Sequence, residues 1–249
     1  MTDADAVRLT VDGPVAHIEL YRPASHNSQT PAMWDRLRQI GRDLRGDVRC
    51  VVVTGAGPSF SSGLDRAVLA GSLPGELAAL PETEAEERIA EFQAAFSWLR
   101  RPDLLTIAAV QGHAVGAGLQ LALACDFRVL AEDARLRMPE VTLGIVPDLG
   151  GTGRLIELTG YARALELCLT GRAVTAREAL AWGLATIVVE AAELTGATRD
   201  LTAALLSAPR AAATEAKALL LGATTRTAGE QLAAERAAQV RCLRGLAGA

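Results

Sequence analysis

Polar and apolar residues alternate over Val7-Arg-Leu-Thr-Val11, break at Asp12-Gly13, and alternate again over Val15-Ala-His-Ile-Glu-Leu20. Period-two alternation on either side of a turn pair predicts a β-hairpin with one face toward a core. The period then changes. After Pro31, the apolar residues Met33, Leu37, Ile40 and Leu44 recur at helical spacing, with proline where a helix tolerates it best. Three short apolar runs, Cys50–Thr54, Thr106–Val110 and Phe127–Leu130, read as buried strands. A helix over Leu119–Ala124 separates the last two. Between Arg66 and Arg88 four glycines and prolines and the acidic run Glu82–Glu87 predict a solvated loop, leading into a helix near Ile89–Leu99. Beyond Asp148 and the loop Leu149–Gly153 the chain turns helical and alanine-rich. Segments are expected near Arg154–Leu169, Ala176–Trp182, Glu193–Ser207, Ala211–Leu221 and Gly229–Leu243. Strands alternating with helices and then helices alone define an α/β chain, divided here into a core over residues 1–190 and a helical region over 191–249.

Composition narrows the function without naming it. With 249 residues, half of them hydrophobic, the chain can bury a large core. A net charge of −4 gives no reason to expect nucleic acid as partner or a membrane surface. No run is long and apolar enough for a membrane span. The acidic start, Met1–Asp5, lacks the features of a signal peptide, so a cytoplasmic protein is the expectation. Four dispersed cysteines, Cys50, Cys125, Cys168 and Cys242, form no metal or disulfide pattern. His17 and His26 have no partner histidine at metal spacing, and no metal is expected. Ser61 and Ser62 lack the setting of a nucleophile elbow.

Two glycine-bearing stretches each follow a strand: Phe60-Ser-Ser-Gly-Leu-Asp65 and Gly112-His-Ala-Val-Gly-Ala-Gly118. Small residues here, Ser62, Gly63, Gly116 and Gly118, let a ligand approach the backbone. If the loops lie side by side, two free N–H groups face one oxygen, which is how main chain builds an oxyanion hole. Tight turns serving packing alone are the other reading.

Taken with Arg22-Pro23 and Asn27, Gln111–Gln120, Ala124–Arg128 and Pro139–Thr152, these stretches resemble the crotonase (enoyl-CoA hydratase/isomerase) superfamily over nearly the whole chain. The resemblance implies a spiral of ββα units, C-terminal helices that drive assembly into a homotrimer or homohexamer, and an acyl-CoA thioester as substrate. CoA enters with the substrate, and no separate cofactor is implied. The matching oxyanion donors are the N–H groups of Leu64 and Ala117. Arg22 matches a CoA-contacting position. Asp65 matches an aspartate at the oxyanion loop. Lys217 on a C-terminal helix is a further candidate for the CoA phosphates, with an ordinary solvated cation as the other reading.

The carboxylates choose the reaction. Hydratases of the family use two glutamates; Glu140 matches the second, but Gln120 stands at the first, and an amide takes up no proton. Asp148 offers a second carboxylate in a different setting. Burial among Leu119, Leu143 and Val146 would raise the pKa of Glu140. One base suffices to move a proton along an acyl chain, so isomerisation is favoured over hydration. Other readings stay open for each residue: a surface or salt-bridged Glu140, Asp148 as a helix cap, Gln120 as a satisfied buried amide. The alternative function is an acyl-CoA-binding carrier or sensor without catalysis. A thioester hydrolase lacks a nucleophile.

Overall fold

The computed structural model describes residues 6–44 and 46–247; the acidic stretch Met1–Asp5 lies outside them. The chain opens with the hairpin β1 (Val7–Asp12) and β2 (Val15–Leu20), paired antiparallel with Asp12 opposite Val15. The turn falls on Gly13-Pro14, where Gly13 takes a φ of 51°. Helix α1 (Pro31–Asp43) follows. Its cap is Thr30, whose hydroxyl accepts the Met33 N–H, and it buries Met33, Trp34, Leu37 and Ile40.

The strands β3 (Cys50–Gly55) and β4 (Leu105–Val110) run parallel to β2. The stretch from Arg66 to Arg88, expected as a loop, is instead helical: α2 (Arg66–Leu69), α3 (Leu73–Ala79) and the start of α4 (Glu82–Ser97). Its breakers sit where helices accept them. Pro74 occupies a first turn and Pro81 precedes α4, positions that lose no internal hydrogen bond. Leu73 and Leu77 anchor α3 to the core.

From β4 the chain repeats one plan. A longer strand joins the main sheet, a short strand joins a second sheet, and a helix covers them. β4 is followed by β5 (His113–Val115) and α5 (Ala117–Ala124). Next come β6 (Phe127–Ala131), β7 (Arg135–Arg137), α6 (Gly151–Thr159) and α7 (Tyr161–Thr170). Gly160, at a φ of 76°, divides the one helix expected over Arg154–Leu169. A last turn adds β8 (Val174–Thr175), α8 (Ala176–Ala181) and β9 (Ile187–Val189). The main sheet has the order β1-β2-β3-β4-β6-β9 and the second β5-β7-β8. This is a spiral of ββα units.

Three helices close the chain: α9 (Leu194–Leu206), α10 (Arg210–Gly222) and α11 (Ala228–Ala247). Helix α9 covers the face of the main sheet formed by Cys50, Val52, Ile107, Ala109 and Val129. The other face packs into the principal core beneath α1, α4 and α5. No helix among the described residues is long and apolar enough to cross a membrane.

Candidate active site

The two glycine loops lie against each other. Ser61 donates its N–H to His113 O at 2.8 Å, and Val115 returns one to Ser61 O at 3.0 Å. Glycine is required at this seam. A Cβ on Gly118 would stand 2.5 Å from Ser61 O, and one on Gly63 would stand 2.4 Å from Val115 O. Neither backbone oxygen can withdraw without breaking the seam. The same position on Gly63 is 3.5 Å from the Ala117 nitrogen. The two expected donors therefore belong to adjoining segments. Leu64 follows Gly63, and Ala117 opens α5, where helix geometry leaves the N–H without an internal acceptor. Neither N–H finds a partner among the described residues.

Glu140 opens a 3-10 turn (Glu140–Leu143) after β7 and is buried. Its Oε1 accepts from Gln120 Nε2 at 2.9 Å, while its buried Oε2 has no partner among the described residues. A Cβ on Gly116 would come within 3.3 Å of the carboxylate, so the acid sits directly beside the second loop. Burial pushes the Glu140 pKa up, the nearby Asp148 adds to the rise, and the Gln120 hydrogen bond works against it. The reading of Glu140 as a surface or salt-bridged residue is excluded. Of the side chains expected to bury it, Leu119 is in the core, but Leu143 and Val146 are 58% and 66% exposed. Both face solvent instead.

Gln120 is 2% exposed and its orientation is determined by its partners. The Leu149 and Gly151 N–H groups both donate to its Oε1, at 2.8 and 3.2 Å, so its NH₂ must face Glu140. The carboxamide thus ties α5, the Glu140 turn and the start of α6 together. Gly151 allows the approach, since a Cβ there would fall 2.7 Å from Gln120 Cγ. Asp148 is half-buried with its pKa raised by burial. It does not cap α6, whose N-cap is Gly150. The Asp148 carbonyl accepts from Gln93 of α4 at 2.7 Å, a contact no sequence motif announced.

The remaining expected contacts divide. Arg22 is half-buried, and its Nη1 reaches Ser28 O at 2.6 Å and Asp65 Oδ2 at 2.9 Å. Asp65 also accepts from the Ala67 N–H at 2.9 Å and from Ser28 Oγ at 2.8 Å, which holds its carboxyl below the ordinary range. Asp65 is thus a brace and a helix cap for the first loop. Ser62 ties that loop to the Pro23–Ser25 turn, donating its hydroxyl to Ser25 O at 3.0 Å. Lys217 is a correction. Its ammonium is buried on α10 and donates to Leu104 O at 2.6 Å and Asp126 Oδ2 at 2.7 Å. Leu104 precedes β4, whereas the second glycine loop follows it, so Lys217 lies at the opposite end of the sheet. With its donors spent on the fold, it is no CoA contact. Among the described residues, no three His, Cys, Asp or Glu side chains stand together to hold a metal ion.

The family model for enoyl-CoA hydratase/isomerase matches residues 10–244. The carnitinyl-CoA dehydratase of Salmonella paratyphi A is 38% identical over 218 residues, covering 84% of this chain and 78% of that protein. A Thermobifida fusca YX protein solved in complex with CoA, provisionally named an enoyl-CoA hydratase, superposes with a TM-score of 0.93. It is 49% identical, over 99% of this chain and 96% of that one. The enoyl-CoA hydratase of Bacillus anthracis superposes at 0.82 with 31% identity, over 94% and 89%. This chain belongs to the enoyl-CoA hydratase/isomerase family and has the crotonase fold.

Proposed function

We propose that this member of a CoA-thioester family is an enoyl-CoA isomerase that works with one carboxylate. The observation that carries this reading is the asymmetry at Glu140, with one oxygen held by Gln120 and the other buried, free and beside the second glycine loop. With a 3-enoyl-CoA bound, Glu140 Oε2 takes a proton from the carbon next to the thioester carbonyl. The electron pair moves onto the carbonyl oxygen, where the N–H groups of Leu64 and Ala117 stabilise it. The double bond shifts, and the same carboxyl returns the proton two carbons further along.

Hydration needs a group that orients and deprotonates water. Gln120 takes up no proton, and both lone pairs of its oxygen are filled by the Leu149 and Gly151 N–H groups, so it cannot act as a base toward water. Burial, with a smaller contribution from the Asp148 charge, holds the Glu140 pKa above the ordinary carboxylate range, which favours the protonated acid that returns the proton. Arg22 keeps guanidinium donors beyond those spent on Ser28 and Asp65 and is the residue proposed to meet the CoA phosphates. CoA arrives as part of the substrate.

The same family reading extends to assembly as a trimer or a dimer of trimers. Supporting it, Leu220 of α10 and Leu232, Leu243 and Leu246 of α11 are all more than half exposed.

The test offers the purified protein a 3-enoyl-CoA and a 2-enoyl-CoA and follows mass and retention time. Conversion of the 3-enoyl to the 2-enoyl thioester without mass change, lost in Glu140→Gln, supports the isomerase. Gain of water by the 2-enoyl substrate would establish a hydratase instead. Tight binding of both with turnover of neither would leave the chain an acyl-CoA carrier.

A further inference from the structure

Behind the first glycine loop lies a patch of buried polar side chains. Asn27, Ser28, Gln29 and Thr30 follow one another in sequence and are all buried, as are Ser59 and Ser61 beside them. Apolar side chains would fill this space without the cost of desolvation, so the patch calls for a task that needs its hydrogen bonds. Gln29 is joined to the loop through its main chain. Its N–H donates to Gly63 O at 2.7 Å, and its carbonyl accepts from the Asp65 N–H at 2.8 Å, a parallel bridge opposite Leu64. The Gly63 carbonyl and the Leu64 N–H belong to one trans peptide unit, in which they point to opposite sides. Tying that carbonyl to Gln29 therefore turns the Leu64 N–H to the other side of the loop, where it has no acceptor among the described residues. A carbonyl that accepts a hydrogen bond also polarises its peptide and strengthens the donor at the far end.

The side chain of Gln29 anchors this bridge, and its orientation follows from its partners. The Trp34 indole on α1, a donor only, reaches Gln29 Oε1 at 2.8 Å. The amide NH₂ must then face Ser61, and it donates to Ser61 Oγ at 3.1 Å. Ser61 accepts a second hydrogen bond from the Gly63 N–H at 3.2 Å and spends its own proton on Asn27 O at 2.8 Å. Both peptide units that flank Gly63 are thereby fixed. Ser61 holds one through its N–H, and Gln29 holds the other through its carbonyl.

We propose, resting on the thioester reading above, that Gln29 is a positioning residue for the oxyanion hole. Its main chain aims and polarises the Leu64 N–H, and its amide, clamped between Trp34 and Ser61, keeps that alignment. Gln29 itself touches no substrate. Hydrogen bonds weaken steeply as they bend, so loosening the bridge forfeits part of the roughly 10²–10³ in rate that a whole donor is worth.

The experiment uses butanoyl-CoA labelled with ¹³C at the thioester carbonyl, a saturated ligand with no double bond to move. Isotope-edited infrared spectra of the bound thioester report the hydrogen bonds its carbonyl receives, with no turnover needed. The same proteins are assayed for kcat and KM with a 3-enoyl-CoA and checked by circular dichroism. The wild type should move the carbonyl band to lower wavenumber on binding. Gln29→Met, close in shape but without the amide, should give back at least half of that shift and lower kcat at least tenfold. Its KM should stay within threefold and its circular dichroism spectrum should be unchanged. Ser61→Ala should behave alike, and it decides the matter if Gln29→Met does not fold. A full shift in folded Gln29→Met, or a rise in KM with the band unmoved, overturns the positioning role and leaves the oxyanion reading intact. Misfolding of both variants overturns it as well, because the network then serves the scaffold. A wild-type band that stays at its free position overturns the oxyanion reading itself.

Discussion

At the residue scale, the amide at Gln120 defines the chemistry available at Glu140. Its oxygen faces two backbone N–H groups, which a carboxylate would satisfy equally well, so Gln120→Glu fits the same space. The second oxygen of that new carboxylate would meet Glu140 Oε1 where an NH₂ now stands at 2.9 Å. Two carboxylates at that distance share a proton, and the pKa of Glu140 rises further. Isomerase activity of Gln120→Glu should fall at least tenfold at neutral pH and recover as pH is raised, read from kcat/KM against pH. Ala117 permits a sharper test of the oxyanion hole. Proline is tolerated at the first position of a helix, so Ala117→Pro removes the N–H while α5 can still form. The loss expected is roughly 10²–10³ in kcat, with the circular dichroism spectrum unchanged. Burial of Glu140 also has a stability signature. Its native pKa is raised, so between the ordinary carboxylate range and that raised value the folded chain holds a proton that the unfolded chain has released. Stability therefore falls as pH rises through this window and stays lower above it. Glu140→Gln lacks the titration. It should melt above the wild type at neutral pH, with the gap closing as pH drops below the ordinary carboxylate range.

At the scale of elements, Lys217, a cation that the sequence offered to the CoA phosphates, serves the fold instead. Its ammonium links α10 to Asp126 and to the chain entering β4, while Asp126 also accepts from the Thr106 N–H at 2.8 Å. Removing one partner of a buried ion pair strands the other, at about 3–5 kcal/mol. Lys217→Met should lower the melting temperature by roughly 5–15 °C. The double variant with Asp126→Asn should lose less than the two single losses added. The sequence carried no sign of this pair, because 91 positions separate its members. The long periodic elements were legible: the hairpin, α1, β3, β4, β6 and the terminal helices all follow from apolar spacing. The three-residue strands β5 and β7 were not, since three residues carry no period and their pairing comes from the spiral. The helices over Arg66–Glu87 were hidden because proline and glycine, read as breakers, occupy first turns and connections. In the site, the glycine seam was readable from spacing and Glu140 and Gln120 from resemblance. The Gln93 contact to the Asp148 carbonyl was not, because 55 positions separate the two residues.

At the scale of the molecule, the last helix has too little to pack against. α11 is 20 residues long, yet only Ala238 among them is buried. It is tied to α10 by Arg241, whose guanidinium makes a paired contact with Glu215 at 2.6 and 2.7 Å. That pair is exposed and adds little stability in water. Meanwhile Val240, Leu243 and Leu246 recur at three-residue intervals along α11 and are 44%, 53% and 76% exposed. Most helical stability in a folded protein comes from burying an apolar face, and a helix in this setting calls for a further surface. The proposed assembly supplies it with copies of the same chain. Light scattering after size exclusion should give a mass three or six times the 26.0 kDa of the chain. Leu243→Glu places a charge on a position that is solvated in the single chain, so its effect falls on the contact between copies. The variant should elute near the mass of one chain and melt at a lower temperature that no longer depends on protein concentration. A wild-type mass of one chain would refute the assembly. The proposed enolate site would be untouched by that result, since each residue assigned to it, from Leu64 to Asp148, lies within one copy of the chain.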